Sequence, residues 1–265
     1  MKKFSFLAIA LAAVVLAACT GKKEAPATPE TQKSFEQEQI EASIKVQLDS
    51  IAAELGKLKH LPFVQENNGG IALTAEEKQV KPDYLLSPSV AEEATTLAEK
   101  YRILSALSVD KKIAALYDMP TDEYDKAISK LTADINDPSF KVIENEGQLF
   151  ETTSALYDAM NENGRINYFW QLASAALVEQ LYNANQNSEK FLSTFTDEAA
   201  SNVTFRIILL LDAVNRLSEY DPEIKPVAEA IDPLKVLNAT SVDELKKQLA
   251  EANDAIVAAR KALVK

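Results

Sequence analysis

The chain has 265 residues, with 40 acidic against 28 basic side chains and a formal charge of −12. That acidity excludes nucleic-acid binding, which needs a basic footprint, and it excludes adsorption to anionic headgroups by charge alone. A globular composition, 47% apolar and 26% charged, comes with one cysteine, Cys19, and one histidine, His60, so no disulfide and no two-histidine metal site can be built.

In chain order, Lys2 and Lys3 precede an apolar run from Phe4 to Ala18 that only Ser5 interrupts. This is the layout of an export signal, and it is too short for a membrane span of about 20 residues. The run ends in Leu16-Ala17-Ala18-Cys19, which resembles a bacterial lipobox. The resemblance implies cleavage before Cys19 and acylation of its sulfur and its new amino group. An ordinary secretory cleavage that leaves a free thiol is the alternative. Residues 1–18 are then a signal peptide, and 19–33 are a lipidated cysteine with a flexible tether containing Pro26 and Pro29. Such a tether reaches at most ~50 Å at about 3.5 Å per residue. Thr20 stands where an aspartate would imply retention at the inner membrane, so the resemblance implies the outer membrane. Gly21-Lys22-Lys23-Glu24 departs from the acidic run of surface-exported lipoproteins of Bacteroidota and favours the periplasmic face over the cell surface. Loss of Lys2 and Lys3 from the 28 basic residues leaves 26 against 40 acidic ones, a charge of −14 on the mature chain.

From Ser34 the pattern turns helical. Ile40, Ile44, Leu48, Ile51, Leu55 and Leu58 recur at steps of three and four and predict one long helix to about Lys59. Asn67-Asn68-Gly69-Gly70, between Phe63-Val64 and Ile71-Ala72-Leu73, allows a small β-hairpin near residues 63–73. Thr74 with Glu77 reads as a capping box. Ser87-Pro88 predicts a helix start, with Val90, Ala94, Leu97, Tyr101 and Leu104 on its buried face, and Ser108 predicts a separate shorter helix to Asp118. Thr121 begins the next helix, and Asn136-Asp137-Pro138 makes a turn. Further helices are predicted over 148–162, closed by Asn163-Gly164, over 165–185, from Ser188 to Phe195, and from Asp197 to about Ser218. Phe205 to Leu211 is apolar nearly all round, which predicts a central helix surrounded by others. Prolines 222, 226 and 233 divide short helices. Ser241 with Glu244 then opens a seam through Leu245, Leu249, Ala252, Ile256, Ala259 and Leu263. The expectation is an all-α fold, an irregular array or bundle of about ten helices forming one domain over 34–265. No tetratricopeptide pattern follows Trp170.

The residues that carry chemistry are few. His60 is the only candidate for a catalytic triad, and no nucleophile elbow accompanies it. Glu144, Glu146, Asp122, Asp125 and Asp212 lie in no distinguishing motif. Asp134, Asn136 and Asp137 lack the glycine and terminal glutamate of a calcium loop. Asp49-Ser50-Ile51 matches a three-residue O-glycosylation pattern of Bacteroidota, a match within the range of chance. Arg206, Asp212 and Arg216 interrupt the apolar surface of the 197–218 helix, with Asp212 and Arg216 four apart on one face. They predict either an ion pair that sets helix register or, with Trp170, a ligand pocket beside that helix. Arg165 with Tyr168-Phe169-Trp170 offers a stacking surface or simply core. No catalytic, metal-binding or cofactor-binding residue is predicted, and lipidation falls on Cys19.

The signal, the lipobox and the helical pattern together resemble the uncharacterised all-helical lipoproteins of Bacteroidota. The expected role is that of a lipid-anchored envelope protein, non-enzymatic, binding a protein partner or envelope component. The alternatives are a carboxylate-dependent enzyme on envelope polymers and a small-ligand carrier.

Overall fold

The structure, a computed structural model, describes residues 35–142, 149–150 and 153–264, with side chains from residue 42 onward. The signal segment, Cys19, the tether, Glu144 and Glu146 lie outside the described residues. Among those described, the fold is all-α, with eleven α-helices, short 3-10 turns between them and no strand.

The helices in chain order are α1 Phe35–Leu55, α2 Ala75–Gln79, α3 Leu97–Leu116, α4 Asp122–Ile135, α5 Thr153–Glu162, α6 Ile166–Gln186, α7 Ser188–Phe191, α8 Asp197–Ser218, α9 Lys225–Ile231, α10 Val242–Glu251 and α11 Asn253–Val264. Their starts follow from local chemistry. Thr74 and Glu77 form the expected capping box on α2. Thr96 and Glu99 form another on α3. Each box satisfies amide hydrogens that a helix start leaves unpaired.

The middle of the molecule is α6. Phe169, Trp170, Leu172, Ala175, Ala176, Leu177, Val178 and Leu181 are all buried, and so are its polar Gln171, Ser174, Glu179, Gln180 and Asn183. Helices α3, α5, α8, α9, α10 and α11 all pack on it. The reading of 205–211 as a central helix is thus corrected. On α8, Phe205 and Ile208 are about half exposed, while Arg206, Ile207, Leu210 and Leu211 face inward. An apolar run identifies a helix that can be buried, but the partners that surround it are tertiary.

Five local expectations change. Residues 63–73 form two 3-10 turns, Pro62–Val64 and Glu66–Gly70, and no hairpin. Asn67, Asn68 and Gly69 all adopt the left-handed conformation, which coils the chain, and Phe63 and Val64 are both fully buried, so the alternation of a strand is missing. Ser87-Pro88 opens only the turn Pro88–Glu92, and the long helix waits for the Thr96 cap. Ser108 starts nothing: it lies inside the 20-residue α3, and its hydroxyl donates to the Leu104 carbonyl one turn back at 2.7 Å. The carboxy-terminal seam is broken at Ala252 into α10 and α11. The cap of α8 is Thr196 rather than Asp197.

Candidate functional site

Two buried polar clusters flank α6. The first lies beside α8. Arg206 is 4% exposed on a helix face otherwise made of Val203, Ile207 and Leu210. One Nη donates to the Leu58 carbonyl, just past the end of α1. Its buried Nε has no hydrogen-bond partner. Loss of solvation lowers the guanidinium to about 10, so it remains charged at neutral pH.

His60 stands next to it, and a chain of hydrogen bonds defines its state. The Leu61 amide donates to Gln180 Oε1 at 3.1 Å, and His60 Nδ1 lies 3.3 Å from that oxygen and 3.1 Å from Gln180 Nε2. His60 Nε2 faces Thr153 Oγ1 at 3.4 Å, and Thr153 in turn donates to the Phe150 carbonyl at 3.2 Å. The ring is neutral. Burial and then the Arg206 charge hold its pKa well below the usual histidine range, against a smaller raising effect of the Gln180 hydrogen bond. Phe150 packs on it with ring centres 5.3 Å apart.

Behind His60 lies a small cavity of about 20 Å³, walled by Leu55, Leu156, Phe169, Leu172 and Leu177 and reached by Arg206. Among the described residues, no carboxylate lines it. In front lies an open cleft of about 300 Å³ edged by Lys57, Lys59 and Gln65, and His60 and Phe150 border both spaces.

The second cluster joins α3, α6 and α11. Asp110 and Glu179 are fully buried. Arg260 grips Glu179 with Nε at 3.0 and 2.9 Å and Nη2 at 2.7 Å, and Nη2 lies 3.7 Å from Asp110. Arg260 also donates to the Tyr84 carbonyl at 3.2 Å and lies over the Tyr182 ring at 3.9 Å. Asp110 accepts from the Leu86 amide at 2.7 Å and the Asn183 side chain at 2.8 Å. Burial, and then the charge of Glu179, raise the Asp110 carboxyl well above the ordinary aspartate range. Two carboxyls sealed with one guanidinium form an interlock that ties α11 to the core.

The residues singled out in the sequence separate. Arg206 lines the small cavity. Asp212 and Arg216 form an ion pair at 2.9 Å on the outer side of α8, each about 40% exposed, and Arg216 reaches Gln47 of α1. Trp170 is fully buried, with Phe169 and Tyr157 edge-on to it at 5.1 and 5.9 Å. Tyr168 stacks on Tyr101 at 4.9 Å, and Arg165 lies over its ring. Asp125 pairs with Lys111 at the surface, and Asp49 accepts from the Tyr157 hydroxyl at 2.7 Å.

Sequence reasoning missed Asp110, Glu179 and Arg260. A signal was present: Ile103, Leu107, Asp110 and Ala114 share one face of α3, and Leu172, Ala176, Glu179 and Asn183 share one face of α6. An acid in phase with an apolar stripe is a candidate for burial, but one helix alone does not reveal its partner.

On the outside, a groove of about 290 Å³ lies between the first half of α1, the start of α6 and the end of α8. Ile44, Leu48, Ile166 and Leu217 line it, Tyr220 stands 42% exposed beside it, and Lys45, Asn167 and Asp221 form its rim. Asn167 donates to Asp221 at 2.6 Å, and Lys45 donates to Asn161 at 2.7 Å. No protein-family profile matches the chain, and comparisons with curated proteins and with solved structures find no significant match.

Proposed function

We propose that this protein is a lipoprotein of the bacterial outer membrane, anchored through acylated Cys19 on the periplasmic side, that works by binding a protein partner and not by catalysis. The observation that carries the binding part of this reading is the groove of Ile44, Leu48, Ile166, Leu217 and Tyr220. An apolar floor with a polar, hydrogen-bonded rim is the arrangement that seats one or two apolar anchor side chains of a protein partner. Its place also suits an anchored protein. Ile44 lies nine residues into α1, ~14 Å along the axis from the point where the tether joins, at 1.5 Å per residue. The internal cavity, by contrast, has room for a guest of water size, whereas small-molecule sites usually run to about 300–1,000 Å³. Asp110 and Glu179 are sealed from any polymer, which weighs against a carboxylate-dependent enzyme.

Two measurements test the reading. Cys19→Ala is expected to move the protein from membranes to a soluble fraction, and persistence on membranes after detergent-free washing would refute the anchor. A photo-reactive side chain in place of Tyr220 is expected to cross-link one discrete protein in intact envelopes. The product should fade when Leu217→Lys is added, and it should not form from position 80, where Val80 is more exposed than Tyr220 but lies outside the groove. Cross-links that ignore Leu217→Lys would refute the groove.

A further inference from the structure

The groove leaves the Arg206 cavity unexplained, and its electrostatics are unbalanced. A guanidinium buried this deeply is normally matched by a carboxylate, because an unpaired buried charge costs several kcal/mol. Arg260 follows that rule with Glu179. Arg206 does not: it spends one Nη on a backbone carbonyl, its Nε is unpartnered, and among the described residues the ionisable group whose titration it perturbs, His60, is neutral. In front, the cleft is edged by Lys59, by Lys57, which pairs with Glu54 at 2.6 Å, and by Glu66.

We propose that the cavity behind His60 is a binding site for one small monovalent anion, of halide or formate size, held by the free Nε–H of Arg206 and reached from the cleft edged by Lys57 and Lys59. Size sets the class. About 20 Å³ leaves room for one guest of a few atoms and not for a sugar, and a divalent sulfate or phosphate would overcompensate a single guanidinium. Charge sets the sign. A water there would satisfy the Nε–H and leave the positive charge uncompensated, whereas a monovalent anion does both. His60 and Thr153 are the neighbouring polar residues on the wall, among leucine and phenylalanine side chains. The neutral form of His60 belongs to the design, since a second cation would need a second anion for which there is no room.

The test is the thermal midpoint of the purified protein at constant ionic strength, with sulfate exchanged for chloride, bromide, iodide or formate. A saturable rise with the monovalent anions is expected, absent with sulfate. Arg206→Met is expected to abolish it, and Arg206→Lys to weaken it at least tenfold in apparent Kd. A response to halides alone or to formate as well identifies the guest, and either supports the site. A rise that is unchanged in Arg206→Lys, or no rise in the wild type, overturns it. Because Arg206→Met can fail to fold, crystals of the wild-type protein in bromide provide an independent reading. Anomalous density beside Arg206 Nε supports the proposal, and a water in its place refutes it.

Discussion

Arg260 is the residue on which the carboxy-terminal helix depends most. Glu179 and Asp110 are fully buried, and Arg260 is the cation that faces them. Removing one partner of a buried ion pair costs about 3–5 kcal/mol, so Arg260→Ala is expected to lose stability of that order in urea unfolding. A loss below about 1 kcal/mol, typical of an exposed pair, would show that the interlock is weak. The same cluster predicts a pH effect. Asp110 holds its proton to higher pH when folded than when unfolded, because burial and Glu179 oppose its ionisation, and Tyr84, Tyr124 and Arg260 are the other titratable groups around it. An unfolded aspartate ionises near pH ~4, so between there and the raised folded value the native state binds more protons, and stability falls as pH rises. Asp110→Asn is expected to flatten this fall relative to wild type, and parallel pH profiles of the two proteins would disprove it.

Among the elements, the left-handed turn Glu66–Gly70 was the one most misread, and the one most exposed to a single change. Gly69 has φ +57°, and an added Cβ would sit 2.7 Å from Pro62 Cα, Cβ and O. Asn67 and Asn68 tolerate this conformation, but the contact with Pro62 is open only to glycine. Gly69→Ala is expected to destabilise the protein by about 1–3 kcal/mol, while Gly164→Ala, with nothing within 4 Å, is expected to cost less. Equal costs at the two positions would show that backbone strain and not the Pro62 contact decides. The turn matters because the residues just before it, His60 to Val64, carry the neutral histidine against Gln180 and bury Phe63 against Phe191.

At the scale of the whole molecule, α11 closes the core. It packs on α3, α6 and α9, its Leu263 carbonyl accepts from Arg102 at 2.9 Å, and Arg102 also binds Gln171 of α6 at 2.7 Å. A chain ending after Thr240 would expose the faces that Leu249, Ile256, Ala259 and Leu263 cover. It is expected to lose the single cooperative transition shared by Trp170 fluorescence and circular dichroism in the intact protein. A truncated chain with the same sharp, coincident transition would show that α10 and α11 are an appendage.

Helical class, the capping box at Thr74, the ends of α4 to α6 and the apolar stripe of α1 were legible because they rest on local rules: capping, breakers, and the 3.6-residue period. These same rules placed Arg206 in an apolar helix. What they could not say is that α6 and not α8 is central, that Asp110 and Glu179 meet Arg260, or that Arg206 meets only a carbonyl and a neutral histidine. Those facts join residues 73, 81 and 148 positions apart in sequence. Periodicity states which face of a helix turns inward, whereas the burial of a charge and its pairing depend on which other faces arrive there, and only the packed fold decides that.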